Sequence, residues 1–357
     1  MEIRDVLYSL VRCSIGNSEK VFFSGERLYE AMLLGRQQGI SAIVFDGYQK
    51  ARDQFAGIGQ EAQNRLKTEW LSDLGVAMHT CEVIHQAEKI ISEELKNNNI
   101  KALLLKGSAF AQYYETKEFR QFGDIDIYSP TDFEKIDDIF KQIGNHYELE
   151  CYRHSQCLVN GITVENHFYL TDARWKKKWA TLEDFLSQEA KIYLQKLDRT
   201  GLLYPDELFS IVFYLYHTQA HFVYEHINVR FLMDWYYLLK NREQMDDVEL
   251  ESRLRKFGLM RIAGYVTAMC IKRLGMKECI VPSFIIEEAK RVNPSLLKRF
   301  EDDMFDTSHT GFTSNSFKDR FNRLFTFYHD RWKINEFLGI SFCQFVGQKV
   351  LAICKWH

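Results

Sequence analysis

Asp124 and Asp126 stand two residues apart in the run Asp124-Ile125-Asp126-Ile127-Tyr128. On an extended strand, residues i and i+2 share a face, so both carboxylates point one way while Ile125 and Ile127 point the other. Two carboxylates held side by side repel unless a cation lies between them. Mg²⁺, a hard ion that takes oxygen ligands and substrate phosphates, is the natural occupant. Upstream, the apolar run Ala102 to Leu105 ends in Lys106-Gly107-Ser108 and opens into residues with helical spacing. Glycine lets the backbone approach an oxyanion closely, and the first N–H groups of a helix point at it. A phosphate-binding turn followed by an acidic strand is the equipment for moving a phosphorus-containing group.

The pattern Gly107-Ser108, a spacer, then Asp124-Ile125-Asp126-Ile127 resembles the signature of the polymerase-beta-like nucleotidyltransferase superfamily. The fuller string, Leu105-Lys106-Gly107 with Arg120 and Gly123-Asp124-Ile125-Asp126, is similar to one branch of it, the bacterial uncharacterised nucleotidyltransferase family. His217, His221, Ile227, Arg230 and Asp234 resemble the helical C-terminal signature of the same branch. The resemblance covers roughly residues 100 to 240. Fifteen residues separate Ser108 from Asp124, somewhat more than the superfamily pattern, which implies an extended connection.

The resemblance implies in-line attack by a hydroxyl on the α-phosphate of a nucleoside triphosphate, assisted by Mg²⁺ or Mn²⁺. Asp124 and Asp126 supply two metal-binding carboxylates. The third comes from a later strand, and Glu165 is the best match. Gly107 and Ser108 are expected to hold the β- and γ-phosphates, with Lys106 and Arg120 as phosphate contacts, lysine as a point charge and arginine by its planar fork. The expected donor is a nucleoside triphosphate, ATP in the first instance. The acceptor, a small molecule or a protein, is not named by the sequence. The alternative is a nucleotide-binding or protein-interaction module that keeps the fold without turnover. A zinc hydrolase on His217 and His221, with His226 beyond them, is a further rival, although no third ligand of clear geometry completes it. His167 shares a strand face with Glu165 and suits carboxylate orientation, metal binding or a core hydrogen bond. Arg230 and Asp234, four apart on one helix, read as a structural ion pair.

These residues need positioning. The expected fold class is α+β: a small mixed sheet flanked by helical segments, helix-dominated overall. The expected divisions are an N-terminal helical region over 1–99, a nucleotidyltransferase core over 100–172 and a C-terminal helical region over 173–357. Ile3, Val6, Leu7, Leu10 and Val11 share one helical face. Leu66, Trp70, Leu74, Ala77, Cys81, Ile84, Ile91 and Leu95 predict a long amphipathic helix that Gly75 interrupts and Asn97-Asn98-Asn99 ends. Thr131 and Glu134 form a capping-box pattern ahead of a helix stopped by Gly144-Asn145. A hairpin follows: a strand around Glu148 to Tyr152, another ending at Val159, the Asn160-Gly161 turn, and a strand from Ile162 to Phe168. Thr163, Glu165 and His167 occupy one face of that last strand. Pro205-Asp206-Glu207 reads as a helix first turn and Asn228 as a cap. Gly258, Pro282 and Gly311 separate later amphipathic stretches.

A formal charge of −3 gives no electrostatic case for nucleic acid as an extended partner. Eight cysteines without a C-x-x-C pair signal neither a zinc ribbon nor a redox motif and suit reduced, cytoplasmic thiols. The start, MEIRDVLYSL, lacks the uninterrupted apolar stretch of a signal peptide. No run approaches the ~20 apolar residues of a membrane helix, and Phe337 to Phe345 reads as a C-terminal core helix. The basic run Arg174 to Trp179 reads as a solvated helix face.

Overall fold

The computed structural model describes residues 2–17, 25–51, 60–172, 177–242, 245–306 and 328–347. Among them, one six-stranded mixed sheet is embedded in helices, an α+β architecture dominated by helix. Arg174 to Lys176, Gly311, Gln348, Lys349 and Cys354 lie outside the described residues.

The chain opens with three helices, α1 (Ile3–Ser14), α2 (Gly25–Gln37) and α3 (Ser41–Ala51). Gly47 of α3 packs so close to α1 that a Cβ there would lie 1.9 Å from the Leu10 carbonyl oxygen. Helix α4 (Gln60–Asn97) runs for 38 residues without a break. Gly75 does not interrupt it, because its neighbourhood is open and nothing competes with the helical hydrogen bonds there. Asn99 ends the segment in the left-handed conformation, φ 57°.

The sheet follows, with strands β1 (Lys101–Leu104), β2 (Asp124–Tyr128), β3 (Asn145–Glu148), β4 (His154–Val159), β5 (Ile162–His167) and β6 (Gly201–Leu203). Their spatial order is β3-β4-β5-β2-β1-β6. β2 runs antiparallel to β1 and parallel to β5. The long spacer between β1 and β2 holds only a four-residue helix, α5 (Ser108–Ala111), and a 3₁₀ turn, Lys117–Phe119. Asn160 and Gly161 turn the hairpin with φ of 52° and 78°, as a two-residue loop requires. The first hairpin strand lies at 145–148, earlier than 148–152. Glu150 instead hydrogen-bonds His154 across the connection, and Leu149 is exposed.

Helix α6 (Phe133–Ile143) buries Ile136, Ile139 and Phe140. The Thr131–Glu134 capping box does not form. Asp132 occupies the cap position, and its carboxylate is taken by Thr131 and Lys135 at 2.8 and 2.6 Å. Helix α7 (Lys177–Lys196) follows β5, with Lys178 exposed and Trp179 buried, so the basic run is not solvated throughout. Asp206 caps α8 (Glu207–Tyr224) by accepting from the Phe209 N–H at 2.8 Å, which leaves Pro205 ahead of the helix rather than in its first turn. Asn228 holds the cap position of α9 (Val229–Lys240), but its side chain makes no cap bond. Helices α10 (Asp247–Phe257), α11 (Met260–Met269), α12 (Ser283–Lys290) and α13 (Pro294–Met304) complete the main body. Gly258 ends α10 at φ 72°, and Pro282 precedes α12. The 337–345 stretch buries Phe337, Leu338 and Phe345, but Gly339 at φ 64° ends the π-helical segment Ile334–Leu338 ahead of a separate short helix over 342–347.

The sheet separates two apolar clusters. On one face Ile125, Ile127, Val164 and Cys157 pack against Ile84, Ile91 and Leu95 of α4 and Phe140 of α6. On the other, Leu103, Tyr128 and Leu203 join a larger cluster that includes α1, α7, α8 and α9. The second face also carries the acidic residues, because strand alternation places Asp124, Asp126, Glu165 and His167 with Tyr128. No helix among the described residues is long and apolar enough to cross a membrane.

Candidate active site

Strand register, rather than proximity in sequence, assembles the site. β2 and β5 are parallel neighbours with Asp126 opposite Glu165 and Tyr128 opposite His167. Asp124, Asp126 and Glu165 therefore converge on one sheet face. Antiparallel β4 adds His154 opposite His167.

Asp126 is the buried centre. Its Oδ1 accepts from Lys106 Nζ at 2.7 Å and approaches His167 Nε2 at 2.8 Å, while Oδ2 is buried without a hydrogen-bond partner. His167 Nε2 also lies 3.3 Å from Glu165 Oε2. Burial alone would raise the Asp126 carboxyl, but the Lys106 charge and the His167 hydrogen bond outweigh it and hold the group well below the carboxylate range. Asp124 goes the other way. Burial and the Asp126 charge raise it, against the pull of Lys106. Burial also works against the charged Lys106, yet Asp126 and Asp124 raise its pKa, so it remains an ammonium. His167 is raised as well: its hydrogen bonds to Asp126 and Glu165 overcome burial.

Three carboxylates facing one ammonium leave negative charge in excess on a partly dry face. With the orphaned Asp126 Oδ2, that oxygen-rich donor set fits a hard divalent cation. His154, Glu165 and His167 also offer ligand atoms within 4.8 Å of one another, a softer grouping beside the carboxylates.

Gly107 joins β1 to α5 at φ 53°. A Cβ there would press on the Phe122 ring at 3.0 Å, so both conformation and space call for glycine. Ser108 opens α5 and is buried, with Glu88 of α4 beside its hydroxyl. Lys106, expected at phosphate, is turned onto Asp126.

Arg120, also expected at phosphate, is engaged elsewhere. It forms a buried two-pronged pair with Asp234, Nε to Oδ1 and Nη2 to Oδ2 both at 2.9 Å. The Tyr114 hydroxyl donates to the same carboxylate at 2.7 Å. This corrects the expected Arg230–Asp234 pair: the planar fork of Arg120 reaches Asp234 across the fold, and Arg230 donates to the Gln121 carbonyl at 2.8 Å instead. Residues 120–122 also wall a groove of about 130 Å³ with Val76, Thr80 and Cys81 of α4.

The family of sequences described as Uncharacterised nucleotidyltransferase matches residues 28–275, well over half of the chain. The chain belongs to this family. No curated protein and no solved structure matches it. The nucleotidyltransferase match reaches back through α2, α3 and α4 and forward past α11, so the helices are part of the family unit together with the sheet.

The α8 histidines are not arranged as a zinc centre among the described residues. His221 Nδ1 pairs with Glu225 at 2.8 Å, and His217 lies against His221 with ring centroids 4.1 Å apart and stacks on Phe231. Burial, then the charges of His221 and Lys106, hold His217 well below the usual histidine range. His217 is thus a neutral ring within electrostatic reach of Lys106 and His167. The proximity of His154 to the site was readable in principle. Counting back from the Asn160-Gly161 turn sets it opposite His167.

Proposed function

We propose that the protein is a Mg²⁺-dependent nucleotidyltransferase that moves a nucleoside monophosphate from a triphosphate, ATP in the first instance, to an acceptor hydroxyl. The observation that carries this reading is the register pairing of Asp126 with Glu165, which sets a third carboxylate beside the Asp124–Asp126 pair on one sheet face. Asp124, Asp126 and Glu165 are the residues that would hold Mg²⁺ or Mn²⁺. Bound there, the ion would neutralise charge on the phosphates and lower the pKa of the attacking hydroxyl.

The chain's own residues supply the rest. Gly107 gives the turn the positive φ that lets its backbone pass close to Phe122 and Asp124, and Ser108 at the same turn would offer its N–H and hydroxyl to a phosphate. Lys106 holds Asp126 ionised, and His167 fixes the orientation of both Asp126 and Glu165 by contact with each. Arg120 locks the segment that leads into Asp124 to α9 through Asp234. The helices around the sheet provide the acceptor's surroundings, and a small molecule or a protein hydroxyl both suit the chemistry.

Calorimetry with a non-hydrolysable ATP analogue tests the reading. Binding is expected with Mg²⁺ and is expected to vanish in Asp124→Asn/Asp126→Asn. Equal binding by wild type and the double variant would remove the metal assignment.

A further inference from the structure

Among the described residues, Arg230 has no counterion. The only acidic residue at helical spacing from it, Asp234, is fully engaged by Arg120 and Tyr114. Among the described residues the Arg230 guanidinium makes one hydrogen bond, from Nη1 to the Gln121 carbonyl, and no ion pair. It is half-buried, its stem packed against Gly39. Burial and the neighbouring Arg120 charge depress its pKa, against the opposing pull of Asp234, Tyr114 and Asp124. Arg120 itself retains a buried Nη1 with no acceptor. Arg230 also stands in the first turn of α9, where the helix dipole disfavours a cation. Neither helix stability nor a salt bridge accounts for its position. One guanidinium takes the Asp234 carboxylate and the other has a backbone carbonyl alone, and Asp124 lies within electrostatic reach of both.

We propose that Arg230 is a phosphate-binding residue of this site, taking the non-transferred phosphates of the triphosphate through its free guanidinium nitrogens, with Gln121 fixing the side chain from behind. A planar guanidinium presents two parallel donors to a phosphate, which an ammonium does not. The role expected for Arg120 from its sequence position thus falls to Arg230, because Asp234 chooses the former. This inference rests on the nucleotide reading above for the identity of the phosphates, but not for the existence of an anion site.

Binding of inorganic tripolyphosphate, followed by calorimetry at two salt concentrations, tests it in wild type, Arg230→Gln and Arg230→Lys. Wild type is expected to bind in a salt-sensitive manner. Arg230→Gln should weaken binding by about tenfold or more, with Arg230→Lys in between, as expected for losing a charge-assisted bidentate contact. Thermal melting of each variant identifies any that fails to fold, and the lysine variant keeps the charge if the glutamine variant does not. No tripolyphosphate binding by wild type, or binding by a folded Arg230→Gln within about twofold of wild type, overturns the proposal. The Mg²⁺–ATP analogue separates the two readings. If it binds Arg230→Gln as tightly as wild type but fails with Asp126→Asn, the arginine is dismissed and the nucleotide site stands. If tripolyphosphate binding depends on Arg230 while no nucleotide binds, the reverse holds.

Discussion

Two charged clusters lie side by side in this protein and are built on opposite plans. Around Asp234, one carboxylate receives a two-pronged arginine and a tyrosine hydroxyl, all buried. Around Asp126, three carboxylates share one lysine and one histidine, and a buried oxygen is left with nothing to accept. The first cluster balances carboxylate with guanidinium, although Arg120 Nη1 is left without an acceptor, and ties α9 to the segment before β2. The second has an excess of negative charge that the chain does not cancel. Balanced charge is how a fold holds two elements together. Imbalance held rigidly on a strand face is how it keeps a place for an ion and a substrate.

Variants that should break the contrast are ordered here by expected effect. Glu165→Gln should lower nucleotidyl transfer by about 10²–10³-fold, in the range for losing an electrostatic contact to a developing charge, and leave the melting temperature little changed. Pyrophosphate release measures it. Asp234→Asn should do the opposite kind of damage. Leaving Arg120 buried without a counterion is expected to cost about 3 kcal/mol of stability, read from urea unfolding.

A third variant probes the strain in the open cluster directly. Because the Asp124 carboxyl is raised by burial and by Asp126, its ionised form is the disfavoured one in the folded protein. The Asp124 carboxyl therefore takes stability away as pH rises from about 4 through its raised pKa, opposite in sign to the contribution of Asp126, and Asp124→Asn escapes that loss. Without metal at neutral pH the variant should melt about 2 °C higher, and the gap should close as pH falls towards about 4. A lower melting temperature at neutral pH would show that Asp124 is not under electrostatic stress. The smallest effect concerns the apolar side of the same sheet. Burial pushes the Cys157 thiol up to about 12, whereas Cys279 and Cys343 are exposed. Thiol reagents at pH 8 should label the exposed pair and spare Cys157 until the protein unfolds.

Much of this arrangement was legible in the sequence, and the exceptions have physical causes. Period-two alternation placed Asp124 with Asp126 and Glu165 with His167, and the Asn160-Gly161 turn fixed the hairpin. Those signals are local, so no tertiary competitor alters them. The helical periodicity of α4 is equally clear, although Gly75 suggests a break that the helix does not make. The Thr131 cap failed because Lys135 and Thr131 both compete for Asp132, and such competition among short polar side chains is not encoded by spacing. The partner of Asp234 is hidden from the sequence for a larger reason. Arg120 and Arg230 are both within reach only once the chain is folded, and nothing in the order of residues ranks them. The turn of Lys106 onto Asp126 was hidden in the same way, since its strand-end position leaves the direction of a long flexible side chain open.

The central claim is that β2 and β5 jointly provide one divalent-ion site. The most direct measurement is Mn²⁺ binding by electron paramagnetic resonance, in the presence of a non-hydrolysable triphosphate, for wild type, Asp126→Asn and Glu165→Gln. The account predicts bound Mn²⁺ in wild type and a loss of it in each single variant, because ligands from both strands are required. Undiminished Mn²⁺ binding in folded Glu165→Gln would contradict it.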